Sequence, residues 1–165
     1  MKKQKRQKVY ALIDSQNLNL GVRSQGWTLD FRRFRTYLKD KYKVEKAFLF
    51  IGFIPKNKKL YKFLKDSNYE LIFKPVLESK HPKVKTKGNV DAELVLHTMI
   101  QFLKFNKAII VSGDGDFYCL VEYLVKKQKL GKLIVPNRHY SSLLRKYGKF
   151  IVNIDLMRKK LEKRK

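Results

Sequence analysis

The sequence predicts an α/β fold around a central, mostly parallel sheet of about five or six strands, and three observations carry that expectation. Apolar runs rich in β-branched and aromatic residues alternate with segments of helical spacing from end to end of the chain. The run Ala108-Ile-Ile-Val111 is apolar throughout, as strands covered on both faces are, and parallel strands are usually covered on both faces. Two such runs end on acids: Val9–Ile13 passes into Asp14, and Ala108–Val111 passes through Ser112 and Gly113 into Asp114 and Asp116. In open α/β sheets the carboxyl edge of the strands is where ligands bind.

The elements follow in order. Residues 1–8 are expected as a basic N-terminal tail, 9–155 as one domain and 156–165 as a basic C-terminal tail. Val9–Ile13 is the first strand, and Asn17–Gly21 reads as a short loop or a single helical turn. Thr28 or Asp30 caps a helix whose Phe31, Phe34, Tyr37 and Leu38 recur at helical spacing; its other face carries Arg32, Arg33, Arg35 and Lys39. Val44–Ile54 is a strand, Lys56–Ser67 a helix with lysines outward, and Tyr69–Leu77 a strand whose Pro75 implies an edge position or an early end. Such alternation implies right-handed crossovers between parallel strands.

Glu78–Asn89 lacks periodicity and is strongly basic, so it reads as a loop, with His81 a polar loop residue. Asp91 opens a long apolar helix. Glu93 lies about 200° around it from Asp91, outside any shared site, and His97 reads as a satisfied core histidine. After Ala108–Val111 come a helix over Phe117–Lys127, a strand over Gly131–Pro136, a short helix over Ser142–Tyr147 and a final strand over Phe150–Ile154.

Composition narrows the partners. The chain has 165 residues, with 39 lysines and arginines against 14 acids, a net charge of +25, while 44% of its residues are hydrophobic. That combination describes a folded, very basic protein rather than a disordered polycation. A field of that sign favours a polyanion, nucleic acid before acidic membrane. The lone Cys119 reads as a reduced core residue on the apolar face of its helix, and it excludes disulfide frameworks and zinc-finger spacings. No run has the length of a signal peptide core or a membrane span, so a cytoplasmic protein is expected, with no membrane partner and an open oligomeric state.

Few acids remain in so basic a chain, which makes their positions informative. Each has a simple reading: Asp114 or Asp91 as a helix N-cap, contributing roughly 0.5–2 kcal/mol, and Asp116 as a first-turn acid favoured by the macrodipole. The alternative is a cluster. Asp14 and the Asp114/Asp116 pair fall at strand C-termini and Asp91 at a helix start on the same rim, and the first and fourth strands are neighbours in a doubly wound sheet. Carboxylates crowded together stay ionised only beside a cation, and an all-oxygen donor set suits Mg²⁺ or Mn²⁺.

These residues resemble the NYN domains of the PIN-like nuclease superfamily, in the bacterial LabA-like branch. Asp14-Ser-Gln-Asn17 is similar to that family's D-x-x-N motif, Lys87-Gly-Asn-Val-Asp91 to its K-G-V-D motif with one residue inserted, and Ser112-Gly-Asp-Gly-Asp-Phe117 matches its S-G-D-G-D-F motif. The likeness covers roughly residues 8–155. It implies a three-layer αβα, PIN-like or Rossmann-like fold and a metal-dependent ribonuclease. Asp14, Asp91, Asp114 and Asp116 would hold one or two Mg²⁺ or Mn²⁺ ions, Asn17 would orient a carboxylate or touch the scissile phosphate, and Ser112 would support the acids. Lys80, Lys83, Lys85 and Lys87 of the basic loop, with Arg32 and Arg35, are the candidate nucleic-acid contacts, with RNA expected before DNA. One departure is His97, at a position where the family commonly carries another Asp.

The alternative function is an NYN-type nucleic-acid-binding protein that hydrolyses little. A phosphatase with an aspartyl nucleophile is disfavoured, because the D-x-D it needs after the first strand is here Asp14-Ser-Gln16, and no G-x-x-x-x-G-K-[ST] nucleotide loop occurs.

Overall fold

The computed structural model describes residues 3–76 and 89–165. Its strands are β1 (Val9–Asp14), β2 (Val44–Phe53), β3 (Tyr69–Pro75), β4 (Lys107–Val111), β5 (Leu130–Val135) and β6 (Ile151–Asn153). Its helices are α1 (Ser15–Arg23), α2 (Phe31–Tyr42), α3 (Lys58–Asp66), α4 (Asp91–Gln101), α5 (Tyr118–Lys126) and α6 (Arg158–Leu161), with 3₁₀ turns at Pro55–Asn57, Gly115–Phe117, Ser142–Phe150 and Ile154–Met157. The strands form one sheet in the order β3-β2-β1-β4-β5-β6, and every neighbouring pair is parallel.

Strand alternation sorts the side chains into two cores. Ala11 and Ile13 of β1 join Leu18 of α1, Phe34 and Leu38 of α2 and Leu64 of α3 on one face of the sheet. Tyr10 and Leu12 join Leu94 of α4, Leu120 and Leu124 of α5 and Leu144 on the other. The result is a three-layer α/β sandwich. Full burial of each such Leu or Ile contributes roughly 1.5–3 kcal/mol, which is why β1 and β4, at the sheet centre, are apolar on both faces. The chain winds outward through β2 and β3 on one side of β1 and through β4, β5 and β6 on the other. Its reversal between β1 and β4 opens a crevice at their C-terminal ends.

Several local expectations need correction. The segment expected as a loop or one turn after Asp14 is a helix of nine residues, α1, because Leu18 and Val22, four apart, bury against the sheet. Asp30, not Thr28, caps α2, accepting the N–H groups of Arg32 and Arg33 at 3.0 and 3.1 Å. Asp91 is not a cap: it is the first residue of α4, and the Asn89 side chain accepts its N–H at 2.8 Å. Leu77, expected to end the third strand, lies outside the described residues, as does the basic loop after it as far as Gly88; β3 stops at Pro75 on the sheet edge.

Burial also differs from expectation. Cys119 is exposed, because the inward phase of α5 is set by Leu120, Val121 and Leu124. Only Leu94 and Thr98 of α4 are fully buried, so that helix is less enclosed than its composition suggests. His97 is not a satisfied core histidine: its ring packs edge-on to Phe50 at 5.7 Å, and its buried Nδ1 has no hydrogen-bond partner among the described residues. The expected C-terminal tail is docked. Leu161 is fully buried, Lys163 donates its backbone N–H to the Thr28 carbonyl at 2.8 Å, and Glu162 bridges Leu29. No helix among the described residues is long and apolar enough to cross a membrane.

Candidate active site

Asp14 is the last residue of β1, and the strand's burial carries its carboxyl under the rim of the sheet at 6% exposure. Its Oδ1 accepts the backbone N–H of Asn17 at 3.2 Å, so it also caps α1. From the second residue of the D-x-x-N pair, Asn17 Oδ1 accepts the backbone N–H of Gly113 at 2.9 Å, which pins the loop after β4 to the first turn of α1. The two elements that supply the acids are thereby joined by one amide.

That loop is built from short side chains bonding to their own backbone. Buried Ser112 accepts the Asp114 N–H on Oγ at 3.1 Å, and Asp114 Oδ1 accepts the Asp116 N–H at 2.9 Å, capping the 3₁₀ turn Gly115–Phe117. Gly115 is required there because a Cβ would strike the Ser141 hydroxyl and lie 2.9 Å from Ser141 Cβ. Gly21 has a similar role in α1, where a Cβ would lie 2.5 Å from Pro136 Cγ; glycine lets the helix close on the end of β5.

The fold brings Asp91, Asp114 and Asp116 together, with one carboxylate oxygen from each within 4.8 Å of the others. Asp14 stands outside that set but feels the charges of Asp91 and Asp114. Burial first, and those charges second, push its pKa up to about 6 despite the opposing backbone N–H bonds. Asp91 is raised as well, by burial and then by Asp114, with the Asn89 hydrogen bond opposing. The net charge is +25, yet none of the four acids pairs with a Lys or Arg among the described residues. A cleft of about 510 Å³ opens over Asp14, Asp91 and Asp114, and among the described residues no Lys or Arg lines it. Glu93, as expected, points elsewhere, with its carboxylate 4.0 Å from Lys74 Nζ.

The other candidates separate. Lys80, Lys83, Lys85 and Lys87 lie outside the described residues. Arg32 is exposed, with its guanidinium 5.0 Å over the Phe63 ring. Arg35 is a correction: at 8% exposure it is buried, and three of its five guanidinium N–H groups donate to the carbonyls of Asn68, Val44 and Glu45, so it is not a surface contact for a phosphate. It anchors α2 to the starts of β2 and β3.

Sequence reasoning missed the far wall of the cleft. Asn137 is nearly buried, donating from Nδ2 to the Gly21 carbonyl at 2.8 Å while its Oδ1 accepts the His139 N–H at 2.8 Å; Tyr140 stands beside it. The signal was present, since Asn137 follows the apolar run Leu133–Val135 as Asp14 follows its own.

A doubly wound sheet with an acid cluster at its switch point, built from these motifs, defines the class. The chain belongs to the NYN domain family, which it matches over residues 8–155. It is 26% identical over 133 residues to the low amplitude and bright protein LabA of Synechococcus elongatus, covering 70% of this chain and 67% of that one. The crystal structure of VPA0982, a protein of unknown function from Vibrio parahaemolyticus, is 25% identical and superposes with a TM-score of 0.78 over 99% of this chain and 100% of that chain. Family membership and the aspartate trio fit a nuclease.

Proposed function

We propose that the protein is a metal-dependent ribonuclease that hydrolyses RNA phosphodiester bonds at the acid cluster. One observation carries the reading: four carboxyl groups converge at the rim of a +25 protein with no cationic side chain among the described residues to balance them. Four carboxyl groups so close together, unpaired by any Lys or Arg among the described residues, suit a hard divalent cation. The donor set is all oxygen, and Asp91, Asp114 and Asp116, with Asp14 behind them, would hold Mg²⁺ or Mn²⁺. Bound there, such an ion lowers the pKa of an attacking water and neutralises charge on the phosphoryl oxygens.

The chain's own residues have separable tasks in this reading. Asn17 fixes the distance between the β1 and β4 acids, and Ser112 orients the turn that presents Asp114 and Asp116. The Asn137 and Tyr140 wall confines the strand opposite the acids. Arg32 and the lysines at 80, 83, 85 and 87 supply the field that draws the strand in, so binding weakens as salt rises. The choice of RNA over DNA rests on the family resemblance.

The test is cleavage of a labelled RNA and a matched DNA in Mn²⁺, Mg²⁺ or EDTA, beside Asp114→Asn purified identically. Metal-dependent RNA cleavage lost in the variant supports the proposal. Tight, salt-sensitive binding without cleavage under any metal replaces it with the binding-protein reading.

A further inference from the structure

A second cavity, of about 720 Å³, opens next to the acid cleft at the C-terminal end of β2, between α1, α2 and α3. Gln16, two residues beyond Asp14, lines both spaces, so the two are adjacent along one rim of the sheet. The groove does not resemble the acid cleft chemically. Its walls include Phe31, Ile54, Leu60 and Phe63, the last three well exposed. Exposed apolar side chains grouped around a concavity in so charged a protein call for an occupant.

The edges indicate which occupant. Asn19 and Asn57 join Gln16 as amides that can both donate and accept, and Lys59 and Lys163 stand at the lining. The Arg32 guanidinium lies over one face of the Phe63 ring, 5.0 Å from its centroid, making a cationic and aromatic platform. Lys59 belongs to α3, which also exposes Lys58, Lys65 and Lys62, the last paired with Asp66 at 2.7 Å. Asp30, the acid at the edge, is already engaged by the α2 N–H groups and by Arg33 at 3.6 Å. Apolar surface for flat faces, amides for polar edges and lysines for a charged backbone are the three requirements of an unpaired nucleotide. An apolar peptide would need neither the lysines nor the amides.

We propose that this groove is a base-binding subsite that takes unpaired bases of an RNA strand whose neighbouring phosphate lies at the acid cluster. The inference rests on the nuclease reading above and adds to it where the chain would hold a base, in the groove between α1, α2 and α3 on the β2 side of the cleavage point. Duplex RNA cannot splay a base into the groove without breaking a pair, so the subsite selects against it.

The experiment uses full-length Asp114→Asn protein, which retains the groove and does not cut, and short single-stranded RNAs carrying one 2-aminopurine moved along the sequence. Fluorescence quenching confined to particular positions is expected, as is binding about tenfold weaker in Leu60→Glu and Phe63→Ala, the scale of losing a base–aromatic stack. Leu60 is a surface residue, so that variant reads binding if Phe63→Ala proves unstable. RNA that binds with no position-dependent quenching, and equally well to both variants, overturns the subsite and leaves the nuclease reading standing. RNA that does not bind the parent protein at all overturns the nuclease reading and the subsite with it.

Discussion

Asn17 holds the backbone N–H of Gly113 on its side-chain oxygen at 2.9 Å across 96 residues of sequence, and through that one bond the acid at the end of β1 keeps station with the pair at the end of β4. Replacing Asn17 by Ala removes the acceptor and leaves the Gly113 N–H without its partner, a loss of about 1–3 kcal/mol. Chemical denaturation is expected to show that loss, with a larger proportional fall in cleavage. Unchanged stability and unchanged activity would mean that the loop holds its position without this bond.

Asp14 makes the metal-free protein's stability depend on pH. Its folded-state pKa of about 6 lies above the ordinary 3.8, so the folded protein takes up this proton more readily than the unfolded chain. The penalty for the buried charge is therefore complete above about pH 6 and is relieved as pH falls toward 3.8. Its full size is about 3 kcal/mol. Asp14→Asn, which keeps a side-chain oxygen for the Asn17 N–H, should stabilise the protein in EDTA at pH 7.5, with an advantage that shrinks through pH 6 to 4. A constant difference across that range would show that Asp14 does not titrate as described.

Asp91→Asn and Asp114→Asn are expected to lose cleavage while retaining RNA affinity, since among the described residues neither pairs with a Lys or Arg. In the same pair of variants the rise in Tm produced by Mn²⁺ should fall. Equal loss of RNA affinity would assign these acids to folding or positioning.

Arg35 offers a control on the electrostatic reading. Arg35→Met deprives three backbone carbonyls of their donor and should cost about 2–4 kcal/mol. Because its charge is enclosed, the salt dependence of RNA binding should keep its slope. A shallower slope would put the guanidinium at the nucleic-acid face after all.

The C-terminal residues are expected to matter for folding. Leu161→Ala should destabilise by about 2–5 kcal/mol, as large-to-small changes in a core do, while removing charge beyond Lys163 should affect binding alone. A wild-type melting curve for Leu161→Ala would restore the picture of a free tail.

How much was legible in advance follows from the range of the forces involved. The run Ala108–Val111 and its exit into Ser112-Gly-Asp-Gly-Asp116 could be read directly, because strand burial, glycine freedom and side-chain-to-backbone bonds operate within a few residues. The alternation of strands and helices carried the parallel sheet, and the motifs carried the family. Asn137 was legible in principle by the same strand-exit pattern. By contrast, Arg35 and Leu161 look in sequence like members of a basic face and a basic tail. Only the packing of α2 on the starts of β2 and β3, and of α6 on α2, gives the guanidinium its carbonyls and the leucine its core.

By itself, then, the sequence determined the sheet, the acids at its strand ends and the chemistry those acids suit, since each depends on neighbours close along the chain. The tertiary structure alone decided that Asp91, Asp114 and Asp116 come within 4.8 Å, that Asp14 lies buried behind them, and that an apolar groove opens beside them at Gln16. Those are distances between segments far apart in sequence, and they exist only once the chain reverses its winding between β1 and β4 and both faces of the sheet are covered.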